Sequence, residues 1–226
     1  MKAMILAAGR GERLGSLTLK TPKPLTDIRG KKLIEYNLLK LKESGINEVV
    51  INISWLGNKI KEYLGNGDKW SIKIIYSNEG DNLLGTGGGI LNALPLLGNE
   101  PFWLINSDIY SNYKIDINCK LNPNFVAKLI LVPNPDHNKD GDFSLEGGKT
   151  LFPKLDNNFT FSGISLISPT MFYKEKKLVF PLEPILENYA RLGKISGELY
   201  KGFWMDIGTQ DRLDSIRKIL DNNINN

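Results

Sequence analysis

A short apolar segment that runs straight into a glycine-rich loop is the feature that most constrains this chain. Residues 4–7 read Met-Ile-Leu-Ala, which is typical of a buried strand, and residues 9–13 read Gly-Arg-Gly-Glu-Arg. Backbone N–H groups in a tight glycine loop form a nest for anions, and glycine lets the chain approach a phosphate closely. The N-terminus therefore predicts a strand and loop that bind a phosphorylated ligand.

Two cationic side chains near this loop suit chemistry at a nucleotide phosphate. Arg13 can hold the β- and γ-phosphates with its fork of N–H donors, and Lys23 can place a point charge on the α-phosphate. Pro22 and Pro24 bracket Lys23, and we expect this lysine on an exposed loop. Transfer at phosphorus depends mainly on positioning and charge neutralisation. Arg13 and Lys23 are therefore the candidate catalytic residues.

Two other classes of phosphate-binding loop fit this segment less well. A dinucleotide-binding loop of the Rossmann type needs a third glycine where this chain has Leu14. A Walker loop needs Gly-Lys followed by Ser or Thr, which the segment lacks. An oxidoreductase therefore remains a weaker alternative.

The first two-thirds of the chain alternates short apolar runs with helical patterns, which favours βαβ units and a mainly parallel sheet. Ile34, Leu38 and Leu41 share one face of a helix predicted over 31–44, and Gly45 should end it. The later part is richer in strands. The predicted strands lie at 49–53, 72–76, 102–105, 125–132, 159–167 and 195–205, with a hairpin at 142–152, and further helices at 56–64, 85–94, 182–192 and from Thr209.

Composition excludes several classes of protein. The 29 basic and 25 acidic residues give a net charge of +4 without a basic cluster, which argues against nucleic acid as a partner. One cysteine and one histidine allow neither a disulfide nor a Cys- or His-rich metal site. No apolar run approaches the roughly 20 residues of a membrane helix or resembles a signal peptide. We expect a cytoplasmic protein, a monomer or small homo-oligomer, with His137 in an uninvolved exposed loop.

The glycine loop, the Pro-Lys-Pro segment and Trp-Met-Asp-Ile-Gly-Thr at 204–209 resemble the sugar-1-phosphate nucleotidylyltransferase family. The resemblance implies transfer of a nucleoside monophosphate from an NTP to a sugar 1-phosphate, with release of pyrophosphate. It also implies the nucleotide-diphospho-sugar transferase fold: one Rossmann-like α/β domain, with a mainly parallel sheet flanked by helices and a small β-rich half. We expect a nucleotide half at about 1–110, a sugar half at about 111–221 and a frayed tail at 222–226.

Shorter segments favour one branch of that family. Residues 161–165 and 196–200 look like bacterial N-acetylmuramate-1-phosphate uridylyltransferases, which implies UTP, N-acetylmuramate 1-phosphate and a role in peptidoglycan recycling. Residues 84–88 look more like mannose-1-phosphate guanylyltransferases, so GTP with mannose 1-phosphate is the alternative. The chain departs from the family pattern at Ser16, where proline is usual, and at Ser107, where glycine is usual. A non-catalytic nucleotide-sugar sensor, the alternative of another class, should have lost Arg13, Lys23 or a metal-binding aspartate.

Two aspartates are the candidate metal ligands. Asp108 follows a predicted strand, at the sheet edge where open α/β folds bind ligands, and Asp206 lies in an apolar segment. Each could instead cap a helix or turn, but the family has metal ligands at both positions. Two carboxylates with phosphate oxygens and water suit Mg²⁺.

The resemblance supplies further candidates. Glycine clusters can also be loops that cap a helix, and Ser162 and Glu198 could be ordinary strand residues. The lactyl carboxylate of N-acetylmuramate should meet polar or cationic groups, and the candidates are Ser162, Ser165, Asn158, Lys154 and Lys201. The candidates for nucleotide binding are Ala7, Ala8, Gly9, Gly11, Glu79, Thr86, Gly87 and Gly88, and those for sugar binding are Asn106, Ser162, Gly163 and Glu198.

Overall fold

The structure is a computed structural model that describes residues 1–146, 150–153 and 159–222, with no side chains described at 150–153. The strands are β1 (Ala3–Leu6), β2 (Asp27–Ile28), β3 (Lys31–Lys32), β4 (Glu48–Ile53), β5 (Lys73–Asn78), β6 (Phe102–Asn106), β7 (Ile109–Ser111), β8 (Ala127–Pro133), β9 (Phe143–Glu146), β10 (Thr150–Pro153), β11 (Phe159–Ile167), β12 (Ile195–Leu199) and β13 (Trp204–Asp206). The helices are α1 (Leu17–Lys20), α2 (Leu33–Glu43), α3 (Gly57–Leu64), α4 (Gly85–Leu97), α5 (Glu183–Arg191) and α6 (Gln210–Asn222).

A nine-stranded sheet runs through the molecule in the order β5-β4-β1-β6-β11-β8-β12-β10-β9. The first four strands are parallel, and β1 lies between β4 and β6 with Ala3 opposite Val49 and Trp103. β11 is antiparallel to both β6 and β8, whereas β12 is parallel to β8. The fold is therefore the expected single α/β domain with a mainly parallel central sheet flanked by helices.

Buried aliphatic side chains explain why the central strands and α2 form. The residues of β1 are at most 9% exposed, as expected for a strand covered on both faces. Ile34, Leu38 and Leu41 are fully buried on one face of α2. Gly45 takes a left-handed φ of +88° just beyond that helix, a conformation that costs glycine little. The helix predicted from this periodicity is confirmed.

The predicted strands and helices are confirmed with small shifts at their ends. The C-terminal helix begins after Thr209, whose hydroxyl accepts from the N–H of Arg212 at 3.4 Å and whose carbonyl accepts from Leu213. The expected strand at 195–205 is two strands, β12 and β13. The hairpin forms between β9 and β10. Its turn was predicted at 146–148, of which Glu146 belongs to β9 and the other two residues lie outside the described residues. Asn222 still belongs to α6, and the remainder of the expected tail lies outside them too.

A small ribbon brings two distant parts of the chain together. β13 pairs antiparallel with β7, and Asp206 lies opposite Ile109. The N–H of Ile207 also donates to the carbonyl of Asp108 at 2.8 Å. Asp108 and Asp206 are therefore neighbours along the backbone of this ribbon. In the part of the chain that the structure describes, no helix has the length and apolar character to span a membrane.

Candidate active site

The glycine-rich loop follows β1 at the carboxyl edge of the sheet, and a hydrogen bond to the neighbouring strand holds its start in place. The N–H of Ala7 donates to Asn52 Oδ1 at 2.8 Å, which ties the loop to the end of β4. Gly11 has a φ of +67°, and a Cβ there would lie 3.0 Å from the Cβ of Lys23 and from Thr18. A side chain at position 11 would therefore be strained and crowded, which explains this glycine.

A cavity of about 490 Å³ opens beside this loop. The cavity is lined by residues at the ends of β1, β4, β5 and β6 and in the segment that follows β13. The cavity wall contains the following predicted site residues: Ala8, Gly9, Gly11, Arg13, Lys23, Glu79, Thr86, Asn106 and Asp108. It also contains Leu6, Arg10, Glu12, Pro24, Asn52, Leu83, Gly85, Ser107 and Gly208.

Lys23 is buried, so the expectation of an exposed loop lysine was wrong. It starts a short 3-10 turn after Pro22, and its residue surface is only 9% exposed. Its ammonium lies 2.6 Å from Asp108 Oδ2. The turn folds the lysine under the glycine loop, where the Asp108 carboxylate offsets the cost of burying its charge. A candidate catalytic cation and a candidate metal ligand are thus in direct contact.

Two nitrogen-bearing side chains, those of Arg212 and His137, lie beside Asp206, and the sequence analysis placed neither of them at the site. Arg212 Nη2 lies 3.1 Å from Asp206 Oδ2, and His137 Nε2 lies 3.0 Å from Oδ1. Neither contact has hydrogen-bond geometry, so among the described residues Asp206 Oδ1 and Arg212 Nη2 make no hydrogen bond. His137 does lie on an exposed loop, as predicted, but its contact with Asp206 was missed. Arg212 could have been suspected because it follows Thr209 by three residues, in the first turn of α6.

Gly208 lets three charged groups approach one another. A Cβ at this position would overlap the guanidinium of Arg212 and would lie 3.1 Å from Asp206 Oδ2 and 3.4 Å from Arg13 Cζ. The glycine therefore allows Arg13, Asp206 and Arg212 to converge at the cavity edge. The sequence analysis predicted no contact that would have explained a glycine at position 208.

The donor set at this edge fits a hard divalent cation. Asp108, in the turn between β6 and β7, and Asp206, in β13, offer carboxylate oxygens, and Asp206 Oδ1 is buried without a hydrogen bond in the described chain. Among the described residues no group of three or more His, Cys, Asp or Glu side chains forms a metal cluster. Two protein carboxylates with substrate phosphates and water match the preference of Mg²⁺ for oxygen and for keeping water ligands. Their assignment as metal ligands stays a prediction.

Glu79 and Asn52 form a buried pair behind the glycine loop. Asn52 Nδ2 donates to Glu79 Oε1 at 2.6 Å, and the N–H of Leu84 donates to Glu79 Oε2 at 3.0 Å. Both carboxylate oxygens of Glu79 therefore accept hydrogen bonds from the protein itself, although the residue lines the cavity. Asn52 was not among the predicted site residues, yet it connects Glu79 with Ala7.

The remaining nucleotide candidates divide between the cavity and its surroundings. Thr86 lines the cavity, whereas Gly87 and Gly88 lie outside its wall. The N–H groups of Gly87 and Gly88 both donate to the carbonyl of Phe180, at 3.0 and 3.1 Å. These amides therefore bind the chain itself, and their assignment to the nucleotide stays a prediction.

Most of the residues predicted to bind the sugar lie outside the cavity wall. Asn106 lies in the cavity wall, and a Cβ on Gly163 would lie 2.8 Å from Asn106 Nδ2, so these two residues are adjacent. Ser162 is fully buried. Glu198 forms an ion pair with Lys128 at 2.6 Å and raises the pKa of the Tyr113 hydroxyl, although burial is the larger cause of that shift. Ser162, Gly163 and Glu198 lie outside the cavity wall.

The residues predicted to contact the lactyl carboxylate differ in their exposure to solvent. Ser165 is fully buried, so it presents no surface to a substrate. Lys201 is exposed on the turn before β13. Lys154 and Asn158 lie outside the described residues.

Comparison with known proteins identifies relatives of the whole chain. Residues 2–139 match the family model described as nucleotidyl transferase. The chain is 45% identical over 222 residues to N-acetylmuramate alpha-1-phosphate uridylyltransferase from Neisseria meningitidis serogroup B, with 94% of this chain and 95% of that protein covered. It is 33% identical to mannose-1-phosphate guanylyltransferase 1 from Arabidopsis thaliana, and the match covers 98% of this chain but 65% of that longer protein.

Solved structures share the fold at low sequence identity. A UDP-glucose pyrophosphorylase complexed with UDP-glucose superposes with a TM-score of 0.78 at 19% identity, over 98% of each chain. HddC from Yersinia pseudotuberculosis, complexed with GMP-PN, superposes with a TM-score of 0.79 at 23% identity, over 97% of this chain and 99% of that one. At these identities the likeness supports the fold alone.

Proposed function

This chain belongs to the nucleotidyl transferase family, and we propose that its substrates are UTP and N-acetylmuramate 1-phosphate. The enzyme transfers a nucleoside monophosphate from an NTP to a sugar 1-phosphate and releases pyrophosphate. The observation that carries the substrate proposal is the 45% identity with the Neisseria uridylyltransferase across nearly the full length of both proteins. The product would be UDP-N-acetylmuramate, which suits a role in peptidoglycan recycling, and we place the reaction in the cytoplasm, where UTP is available.

The cluster around Lys23 supports this chemistry. A phosphate oxygen of the sugar 1-phosphate would attack the α-phosphorus of the NTP, forming one P–O bond while the bond to the β-phosphate breaks and pyrophosphate leaves. Lys23, held by Asp108 at 2.6 Å, would place its charge on the α-phosphate. Arg13, near Gly208, would bind the departing β- and γ-phosphates. Fixed charges of this kind stabilise the charge that develops in the transition state.

Asp108 and Asp206 would hold the divalent cation, and Mg²⁺ fits their oxygen donors. When bound, the ion would neutralise charge on the reacting phosphates. Arg212 and His137 would orient the Asp206 carboxylate through the contacts at 3.1 and 3.0 Å. The division into a nucleotide half and a sugar half suits this arrangement, because Lys23 and Asp108 come from the first half and Asp206 from the second.

The pair of substrates is the first testable prediction. We expect kcat/KM with UTP and N-acetylmuramate 1-phosphate to exceed that with GTP and mannose 1-phosphate at least tenfold, since discrimination is a ratio of these constants. The measurement is steady-state pyrophosphate release for both pairs, with the crossed pairs as controls. GTP with mannose 1-phosphate is the specific alternative because residues 84–88 resemble guanylyltransferases. A tenfold or greater preference for that pair would overturn the proposal.

Ligand binding gives a second prediction that does not depend on turnover. UTP with Mg²⁺ at about 100 times Kd should stabilise the folded protein by about 2.7 kcal/mol. For a chain of this size, that corresponds to a rise in Tm of roughly 5–10 °C. The measurement is thermal unfolding with UTP and Mg²⁺, with Mg²⁺ alone and NADH with Mg²⁺ as controls. Stabilisation by NADH equal to that by UTP would favour the oxidoreductase alternative.

A further inference from the structure

The guanidinium of Arg212 lies at the cavity edge with few partners for its N–H groups. Its side chain is 16% exposed, and in the described part of the chain its one ion pair joins Nη2 to Asp206 Oδ2 at 3.1 Å. Among the described residues, Nε and Nη2 of Arg212 are buried and make no hydrogen bond. A guanidinium has five N–H donors, and buried donors in native proteins nearly always have a partner. These unbonded donors therefore indicate that Arg212 binds a ligand.

Gly208 brings the Arg212 guanidinium close to that of Arg13. Arg13 and Gly208 both line the cavity. A Cβ on Gly208 would overlap Nη2 of Arg212 and would lie 3.4 Å from Cζ of Arg13. Two cationic groups this close repel each other unless an anion lies between them. The triphosphate of an NTP is such an anion, and the forked donors of arginine suit its oxygens.

Asp206 connects this pair of arginines to the candidate metal site. Its single negative charge faces Arg212 at Oδ2 and His137 at Oδ1. A divalent cation on either oxygen would lie close to the Arg212 guanidinium, and the two positive charges would repel. Arg212 and the cation therefore oppose each other at Asp206 until phosphate oxygens lie between them.

We propose that Arg212 competes with the divalent cation for Asp206 when no nucleotide is bound, and binds the phosphates beside Arg13 when both ligands are present. The proposal rests on the proposed function and goes beyond the contact that orients Asp206. Nucleotide binding gives the guanidinium a second partner, which leaves the carboxylate to the cation. Arg212 thereby couples the two ligands. Coupling between two ligands is reciprocal, so the cation strengthens nucleotide binding as the nucleotide strengthens binding of the cation.

Mn²⁺ binding to the protein without nucleotide is the first test. Arg212→Gln removes the competing charge, so calorimetry should give a Kd for Mn²⁺ about tenfold lower than that of the wild type. Arg212→Lys keeps the charge and should keep this Kd to within about threefold. An arginine that only oriented Asp206 would have the opposite effect, since its loss would weaken Mn²⁺ binding. An unchanged or raised Kd in Arg212→Gln would overturn the proposal.

UTP binding with and without the cation is the second test. In excess Mg²⁺ the guanidinium is available to the phosphates, so Arg212→Gln should raise the Kd for UTP about tenfold. In EDTA the guanidinium stays paired with Asp206, so the same variant should change this Kd by less than about threefold. Equal changes in the two conditions would show that Arg212 does not couple the ligands, and the proposal would be wrong.

Arg217→Gln is the matched control for both measurements. Arg217 lies on the same helix, pairs with Asp214 at 3.2 Å and donates to the carbonyl of Asp27 at 2.8 Å. It lies outside the cavity wall, and exposed charges at a distance are screened by salt. Neither Kd should therefore change by more than about threefold in this variant.

The outcomes separate this proposal from the proposed function. A wild-type protein that turns over UTP, together with wild-type Kd values in Arg212→Gln, would leave the proposed function intact and contradict the role of Arg212. A wild-type protein that binds neither Mn²⁺ nor UTP would instead contradict the proposed function. If Arg212→Gln does not fold, Arg212→Met, which keeps the apolar stem of the side chain, is measured in its place by the same criteria.

Discussion

Turnover of the Asp108→Asn and Asp206→Asn variants should fall about a thousandfold or more, because charge stabilisation by a bound metal is worth several kcal/mol. The amide keeps the shape of the side chain but not the charge that holds a divalent ion. Asp108 lies 2.6 Å from Lys23, and Asp206 is the only ion-pair partner of Arg212 in the described part of the chain. Each variant therefore also leaves a largely buried cation without its carboxylate.

The measurements are pyrophosphate release as a function of Mg²⁺ concentration, Mn²⁺ binding by calorimetry, and thermal unfolding. Both variants should still melt cooperatively, although at a lower temperature than the wild type. Asp211→Asn is the matched control, because Asp211 is exposed in the first turn of α6, five residues from Asp206. Retained turnover and Mn²⁺ binding in either aspartate variant would remove that residue from the metal site.

Lys23→Ala is expected to lower turnover at saturating NTP about a hundredfold or more. Removing one donor that stabilises transition-state charge typically costs roughly 3 kcal/mol. The burial of Lys23 adds an effect on stability, since removing one partner of a buried ion pair costs about 3–5 kcal/mol at full burial. The side chains of Lys23 and Asp108 are 11% and 22% exposed, so we expect a smaller loss.

Lys23→Met separates these two effects because it keeps the apolar stem of the side chain. It should lose turnover as strongly as Lys23→Ala but retain more of the packing under Gly11. Lys20→Ala changes an exposed lysine at the end of α1, three residues before Lys23, and should behave as the wild type. The measurements are kcat at saturating UTP and Tm for each variant. Near-normal kcat in Lys23→Met would show that Lys23 has no catalytic role.

Local patterns in the sequence were sufficient for most of the fold. The apolar residues of β1 and the spacing of Ile34, Leu38 and Leu41 report directly on burial, so they predict a strand and a helix. β7 was missed because three residues carry too little periodicity to be recognised. Its existence depends on pairing with β13, which no local pattern encodes.

The candidate site was predictable where it follows a motif and was missed where it depends on distant contacts. The glycine loop, Arg13, Lys23 and Asp108 line one cavity, as the motif suggested. The contacts of Arg212 and His137 with Asp206 arise only when α6 and the loop after β8 meet β13. Gly87 and Gly88 remain predicted nucleotide-binding residues, and no local pattern in the sequence encodes the hydrogen bonds of their N–H groups to the Phe180 carbonyl.

The ribbon of β7 and β13 has a consequence for the order in which the protein folds. β1, β4, β5 and β6 are all complete by residue 106, whereas β7 and β13 lie nearly a hundred residues apart in the chain. Closing so long a loop costs conformational entropy before any contact offsets it, and contacts between distant residues slow folding. The glycine loop and Lys23 can therefore order before Asp206 reaches Asp108. The approach of Arg13 to Gly208 and the pairing of Asp108 with the Asp206 strand should form last during refolding, so catalytic activity should return only after the central sheet has formed.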